Sequence, residues 1–371
     1  MARNVQMKNQ SSPERRFDEN GMTQREWKRL NEKDQKAKNY TMRLIIVLVL
    51  LTALALAMGI LVYQILLKSH DYTLTQAYDR NHSILGIPES IERSGRSVGF
   101  ASNLCVTDRD IDPQAVSMTA YSAGLFDLEN KQIILSRDMF SMRSPASLTK
   151  IMTTLVALKY GNPDDLVTVT ETALKVEYGS SVCDIKVGDR LSLKQLLYGM
   201  IIASGNDAAM MIAEHVGGNV DEFIYMMNEE AKALGATRTY FENAHGLTSQ
   251  NHYTCVYDLY LIFNEAMKYD LFMDMISRSN YYAEYTREDG SAVAVTWEST
   301  NHYFTGQAAL PDNVIVYGGK TGTTEDAGAC LALLCKDFYG NPYLAIILHA
   351  EDKDILYDDM TALLSLVPTE K

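Results

Sequence analysis

From Leu44 to Leu67 the chain runs 24 residues without a charge, roughly what a helix needs to cross a bilayer core of about 30 Å. A core helix of a soluble protein is rarely apolar for so long, so the run reads as a membrane-spanning segment. Residues 1–43 carry eleven Lys or Arg against six Asp or Glu, and the positive-inside tendency keeps such a flank in the cytoplasm. The residues after Lys68 then lie outside, with 22 basic against 41 acidic groups. A cleaved signal peptide is the competing reading. Its small-x-small site would be Ala53-Leu54-Ala55 or Ala55-Leu56-Ala57, in the middle of the apolar run, where cleavage would strand half of it. An uncleaved anchor fits better.

The remaining chain is long enough for a substantial core, and 47% of the 371 residues are hydrophobic. A formal charge of -13 argues against a nucleic-acid partner, because phosphate binding needs a basic surface. Five scattered cysteines (Cys105, Cys183, Cys255, Cys330, Cys335) form no CxxC pair and no disulfide framework, so free thiols are expected. Four segments follow: a polar cytoplasmic tail 1–43, the anchor helix 44–67, an extracytoplasmic stalk 68–114 with weak periodicity, and a globular domain 115–371.

Within that domain Tyr121 to Phe126 and Gln132 to Leu135 are apolar runs on either side of a polar turn, the pattern of a β-hairpin. Helical periodicity follows over Ser147 to Tyr160, Leu193 to Ala203, Ala208 to His215, Val220 to Leu234 and Asp258 to Lys268. Strand-like runs return at Asn313 to Val316, Ala329 to Cys335 and Tyr343 to Leu348, and Asp354 to Leu366 is helical again. Strands at both ends with helices between them predict an α/β (α+β) domain: one sheet, interrupted by an inserted all-helical subdomain.

Three short motifs stand in order: Ser147-Leu148-Thr149-Lys150, Ser204-Gly205-Asn206 and Lys320-Thr321-Gly322. Each alone is weak, since Ser-x-x-Lys also describes an ordinary exposed helix turn. Residues three apart share a helix face, so the Lys150 amine can reach the Ser147 hydroxyl. Serine needs an adjacent base to become a nucleophile, and a lysine can serve only while neutral. Burial or a second cation lowers its pKa, and Lys320 can supply that cation. Ser204-Gly205-Asn206 interrupts an apolar helix, as a simple turn would, or as a loop placing a hydroxyl and an amide in a cleft. Glycines around Lys320 let a strand edge approach a peptide, and Lys320 with Thr321, Thr323 and Thr324 suits a carboxylate.

Taken together, Ser144-Pro145-Ala146-Ser147-Leu148-Thr149-Lys150-Ile151-Met152-Thr153, Lys186-Val187-Gly188-Asp189-Arg190 running on to Ser204-Gly205-Asn206-Asp207-Ala208-Ala209, and Lys320-Thr321-Gly322-Thr323-Thr324 resemble the serine D-Ala-D-Ala carboxypeptidases, the low-molecular-mass penicillin-binding proteins. Phe241 with Asn243-Ala244-His245-Gly246-Leu247 is similar to a further family segment, with Ala244 where proline is usual. The likeness covers about Ala120 to Ala350. It implies the β-lactamase and penicillin-binding-protein fold, with a central antiparallel sheet flanked by helices. It implies as substrate a peptidoglycan stem peptide ending in D-Ala-D-Ala, β-lactams as inhibitors, and no cofactor or metal. By the same resemblance Ser147 would form the acyl-enzyme, Lys150 would act as base and Ser204 would shuttle the proton. Asn206 would bind the peptide, Lys320 with Thr321 would hold the terminal carboxylate, and the backbone amides of Ser147 and Thr323 would form the oxyanion hole. Many members have a C-terminal amphipathic anchor, whereas the apolar segment here precedes the domain.

Rival readings find less support. A class A β-lactamase needs a Glu-x-x-Leu-Asn segment between the second and third motifs, and none is there. A zinc peptidase needs closely spaced ligands, and the seven histidines form neither HExxH nor HxH. His245 reads as a packed structural residue. A D,D-endopeptidase would share the same acyl-enzyme, and a catalytically silent wall-peptide sensor would bind without releasing product.

Overall fold

The computed structural model describes residues 24–68, 103–107, 109–111 and 116–369. They belong to two compact units, divided at Gly95. In the first, helix α1 (Gln24–Lys68) contains the whole expected anchor. Its apolar stretch Lys38–Leu56 has mean hydropathy 1.9, and the residues of it whose burial is described are all exposed.

The second unit opens with strands β1 (Ser122–Asp127) and β2 (Gln132–Arg137), joined by a turn as expected, and continues into helix α2 (Thr149–Tyr160). Short strands β3 (Leu166–Thr168) and β4 (Arg190–Ser192) precede a run of helices: α3 (Leu193–Ile202), α4 (Asn206–Gly217), α5 (Val220–Ala233), α6 (Val256–Ala266) and α7 (Asp270–Ile276). A second hairpin follows, β5 (Asn280–Thr286) with β6 (Ala292–Glu298), then the short helix α8 (His302–Thr305). The chain closes with β7 (Ile315–Thr324), β8 (Gly328–Lys336), β9 (Pro342–Ala350) and α9 (Lys353–Leu364).

The main sheet has the order β2-β1-β9-β8-β7, antiparallel throughout. Both its faces are covered, which explains why its central strands read as unbroken apolar runs. Along β8, Leu331, Leu333 and Cys335 pack toward α9, while Cys330, Ala332 and Leu334 pack toward the helical side. Strand β9 splits likewise, with Ala345 and Ile347 on one face and Leu344, Ile346 and Leu348 on the other.

Two expectations need correction. The inserted region is not helical throughout, because β3, β4, β5 and β6 form a four-stranded antiparallel sheet within it. β3 and β4 are three residues each, too short for a periodic signal, and their pairing is set by distant neighbours. The folded unit also begins before residue 115. Cys105 is fully buried in the core, its amide donates to the Tyr260 hydroxyl at 2.8 Å, and its thiol donates to the Asp127 carbonyl at 3.4 Å. Of the expected stalk, residues 69–102, 108 and 112–114 lie outside the described residues. All five cysteines are free and buried.

Candidate active site

Ser147 sits in a single 3-10 turn, Ala146–Leu148, that leads directly into α2, so Lys150 falls in the helix's first turn. Thr149 braces this turn by donating its hydroxyl to the Ala146 carbonyl at 2.9 Å, and the same oxygen lies 2.7 Å from His252 Nε2. The loop 243–247 presses against it from the other side. Asn243 Oδ1 accepts from the amides of Gly246 (2.6 Å) and His245 (3.3 Å), shaping a tight bend. Gly246 is required there: at φ +91° an added Cβ would stand 1.9 Å from the Ala146 carbonyl oxygen. This bend aims the His245 carbonyl at Lys150.

Lys150 Nζ is fully buried and has three neighbours: Ser147 Oγ at 2.9 Å, Asn206 Oδ1 at 2.7 Å and the His245 carbonyl at 2.7 Å. Burial first, and the nearby Lys320 charge second, hold its pKa well below the ordinary lysine value. A neutral amine has two N–H groups and one lone pair. In that form its two protons would go to Asn206 Oδ1 and the His245 carbonyl, neither of which can donate, and the lone pair would be left for the Ser147 hydroxyl to donate to. That is the arrangement a general base needs before attack.

Ser204 and Asn206 come from the break between α3 and α4. Ser204 is held at φ 59°, a left-handed conformation uncommon for serine and of the kind that persists only where surrounding contacts enforce it. Those contacts are present. Asp207 accepts from the amides of Cys183 (2.8 Å) and Ile185 (3.3 Å), fixing segment 181–185, and the Asn206 amide donates to the Ser181 carbonyl at 2.8 Å. Lys320 Nζ donates to Ser204 Oγ at 3.0 Å and to the Thr321 carbonyl at 2.8 Å. Burial alone draws the Lys320 pKa down to about 7. Its proton is therefore loosely held until an anion arrives.

Strand β7 is the free edge of the main sheet and carries Lys320, Thr321 and Thr323. Gly322 brings this edge against the turn that carries Ser147. A Cβ there would lie 2.9 Å from the Ser147 amide nitrogen and 3.0 Å from Ala146 Cβ. Gly322→Ala is thus expected to push the Ser147 amide out of line and lower kcat/KM about a hundredfold with the fold retained. Unchanged kcat/KM in that variant would mean that β7 does not press on the turn. Ser147, Ser204, Thr321 and Thr323 line one pocket, so the structure gathers residues up to 176 positions apart. Thr321 Oγ1 is paired with Thr300 Oγ1 at 2.5 Å, and Asn206 Oδ1 is engaged by Lys150.

Residues 109–351 match the peptidase S11 family, described as D-alanyl-D-alanine carboxypeptidase. The chain belongs to this family. Among curated relatives, it is 33% identical over 224 residues to D-alanyl-D-alanine carboxypeptidase DacF of Bacillus subtilis, covering 58% of this chain and 54% of that one. It is 31% identical over 241 residues to D-alanyl-D-alanine carboxypeptidase DacD of Escherichia coli, covering 62% of this chain and 58% of the relative. The chain thus spans little more than half the length of these two relatives. Among solved structures, the Streptomyces K15 DD-transpeptidase gives a TM-score of 0.62 at 26% identity, covering 69% of this chain and 98% of its own. A penicillin-binding protein homolog from Mycobacterium tuberculosis shares the fold, with TM-score 0.60 at 24% identity, over 69% of this chain and 95% of its own.

In this member of the carboxypeptidase family, two supports of the site escaped the motif reading. The His245 carbonyl, rather than its ring, holds Lys150, and a backbone oxygen leaves no mark on residue identity. The ring itself is buried and neutral, its Nδ1 accepting from the Leu247 amide at 3.1 Å, as the structural reading of His245 required. His252 was not assigned a role, yet it bridges Thr149 to the Glu242 amide, which donates to His252 Nδ1 at 3.0 Å. Burial lowers the pKa of His245 to about 3 and of His252 to about 4, from the ordinary 6.5. Between those values and 6.5 only the unfolded chain takes up the protons, so acidification below 6.5 removes stability, by about 1.4 kcal/mol per pH unit per histidine. His252→Gln should therefore unfold with a shallower pH dependence between 6.5 and 4 than wild type, by about one proton. Equal slopes in denaturant titrations would remove His252 from this role.

Proposed function

We propose that the chain is a serine D,D-carboxypeptidase that removes the terminal D-alanine from peptidoglycan stem peptides through an acyl-enzyme on Ser147. The observation that carries this reading is the 2.9 Å contact between Lys150 Nζ and Ser147 Oγ, in a site where Lys150 is buried beside a second cation. Ser147 passes its proton to Lys150 as Oγ attacks the carbonyl carbon of the penultimate D-alanine. The developing oxyanion is met by the amides of Ser147 and Thr323, each donor commonly contributing a few kcal/mol. Collapse breaks the C–N bond, and the proton held by Lys150 returns to the leaving amine by way of Ser204. Lys320 and Thr321 hold the carboxylate of the departing D-alanine, and Asn206 binds the peptide backbone. Water then enters, gives its proton to Lys150 and cleaves the ester.

β-Lactams acylate the same serine in this reading. The opened ring remains where D-alanine would have departed, and the chain has no Glu-x-x-Leu-Asn carboxylate to activate water, so the ester persists. Membrane attachment through α1, with residues 1–43 cytoplasmic and the catalytic domain outside, is supported by the basic flank and the uncharged run. The test is incubation of the full chain with a pentapeptide ending in D-Ala-D-Ala, and separately with a fluorescent penicillin. Repeated D-alanine turnover and a long-lived penicillin label are expected. Rapid multiple turnover of penicillin without D-alanine release would make the protein a β-lactamase, and a label with no D-alanine released would make it a sensor.

A further inference from the structure

Ser204 has no helix to hold it. Asn206 opens α4, but Ser204 lies between α3 and α4 and belongs to neither, in a left-handed conformation that serine does not favour. What lies behind it is a thiol. Cys183 Sγ is wedged between two bare stretches of backbone: a Cβ added at Gly205 would collide with it, and one added at Gly199, in α3, would stand 2.6 Å from it. Burial, and then the Asp207 carboxylate, push the Cys183 thiol well above its ordinary pKa, so it stays protonated and serves as packing rather than as a nucleophile.

Cys183 sits in a stretch without regular structure, residues 181–186, so contacts with other elements must place it. Two of them come from α4: the Cys183 amide donates to Asp207 Oδ1, and the Asn206 amide donates to the Ser181 carbonyl, each at 2.8 Å. A third comes from the four-stranded sheet. Trp297, buried in β6, donates its indole N–H to the Cys183 carbonyl at 3.3 Å, and its ring edge lies over Gly199, where an added Cβ would stand 3.1 Å from Cζ3. The indole is backed in turn by Tyr281, its partner across β5 and β6, with ring centres 6.1 Å apart and planes 16° from parallel. Tyr281 stacks on Tyr198 at 4.0 Å and 4°. Tyr198 belongs to α3 and immediately precedes Gly199, so the stack closes on the helix that the wedge presses.

We infer that Trp297 is a positioning residue for the reaction: it holds Cys183 against Gly205 and so keeps the Ser204 hydroxyl in the path from Lys150 to the leaving amine. The inference rests on the reading of Ser204 as the proton shuttle. It gives the four-stranded sheet a task in the chemistry, since β5 and β6 carry the outer rings of the stack. Without the wedge, Gly205 has room to fall back and Ser204 is free to leave its left-handed conformation, and a proton relay tolerates little misplacement. The contact between Ser147 and Lys150 lies within the start of α2 and does not rest on Cys183, so the serine can still be acylated.

The test measures kcat for D-alanine release per active site in the full chain, with sites counted by the end point of fluorescent-penicillin labelling. Trp297→Leu removes the N–H and the stacked ring, and Cys183→Ala empties the wedge. Each should lower kcat per site about tenfold, with KM changed far less. In a Ser204→Ala background Cys183→Ala should have little further effect, because the group it positions is gone. Unchanged kcat per site in either variant, or a loss that is as large in the Ser204→Ala background, overturns the inference and leaves the carboxypeptidase reading standing. Fewer labelled sites that each turn over at the wild-type rate overturn it too, since that result reports folding alone, and Cys183→Ala decides where Trp297→Leu yields no labelled sites. A wild-type chain that is labelled but releases no D-alanine overturns the carboxypeptidase reading and the inference with it.

Discussion

Ser147→Ala is expected to lower D-alanine release about a thousandfold or more, while the thermal unfolding midpoint moves little. The expectation follows from what the hydroxyl does and does not touch. Of the pocket's hydroxyls, that of Ser147 lies 2.9 Å from Lys150 Nζ, the proposed base. The turn that carries it is held by Thr149, His252 and Gly246, none of which depends on the Ser147 side chain. Peptide binding should survive through β7, so KM should change far less than kcat. Retained kcat in this variant would remove Ser147 from the chemistry.

The Lys150 and Lys320 pair should show an asymmetric response. Lys150→Ala is expected to reduce kcat about as much as Ser147→Ala, since base and nucleophile act as a unit and their losses are not additive. Lys320→Ala should act differently. Its charge is the second cause, after burial, of the lowered Lys150 pKa. Removing that charge lets the Lys150 pKa rise, so a higher pH is needed to keep the base neutral. The acidic limb of the kcat/KM profile should therefore move to higher pH in Lys320→Ala, and residual activity should recover as pH is raised. An acidic limb that stays in place would show that burial alone sets the base.

Much of this architecture was open to a reading of the chain, for physical reasons that differ from element to element. The hairpin at Tyr121, the helix from Ser147 and the strands at Ala329 and Tyr343 showed because both faces, or one full helical face, are buried. Strand β7 was placed only at its first residues. Its stretch Gly318-Gly319-Lys320-Thr321-Gly322 has almost no strand propensity, and its pairing with β8 imposes the extended form. The β5 and β6 hairpin was missed because exposed Tyr282, Ala292 and Ala294 alternate with inward Tyr281, Ala283, Val293 and Val295, which blurs the apolar-polar contrast that marks a strand. At the site, the spacing of Ser147 and Lys150 announced their contact, since one helical turn dictates it. The approach of Ser204, Asn206 and Lys320 could be named only through the resemblance, because loops and a sheet edge from distant parts of the chain bring them together.

The central claim is an ester on Ser147, and the most direct measurement is mass analysis of the intact chain and its peptides after brief exposure to penicillin and to a D-Ala-D-Ala peptide. The account predicts one adduct per chain, carried by the peptide that contains Ser147. The adduct should be stable with penicillin, transient with the peptide, and absent from Ser147→Ala. An adduct on any other residue, or D-alanine release by Ser147→Ala at the wild-type rate, would contradict it.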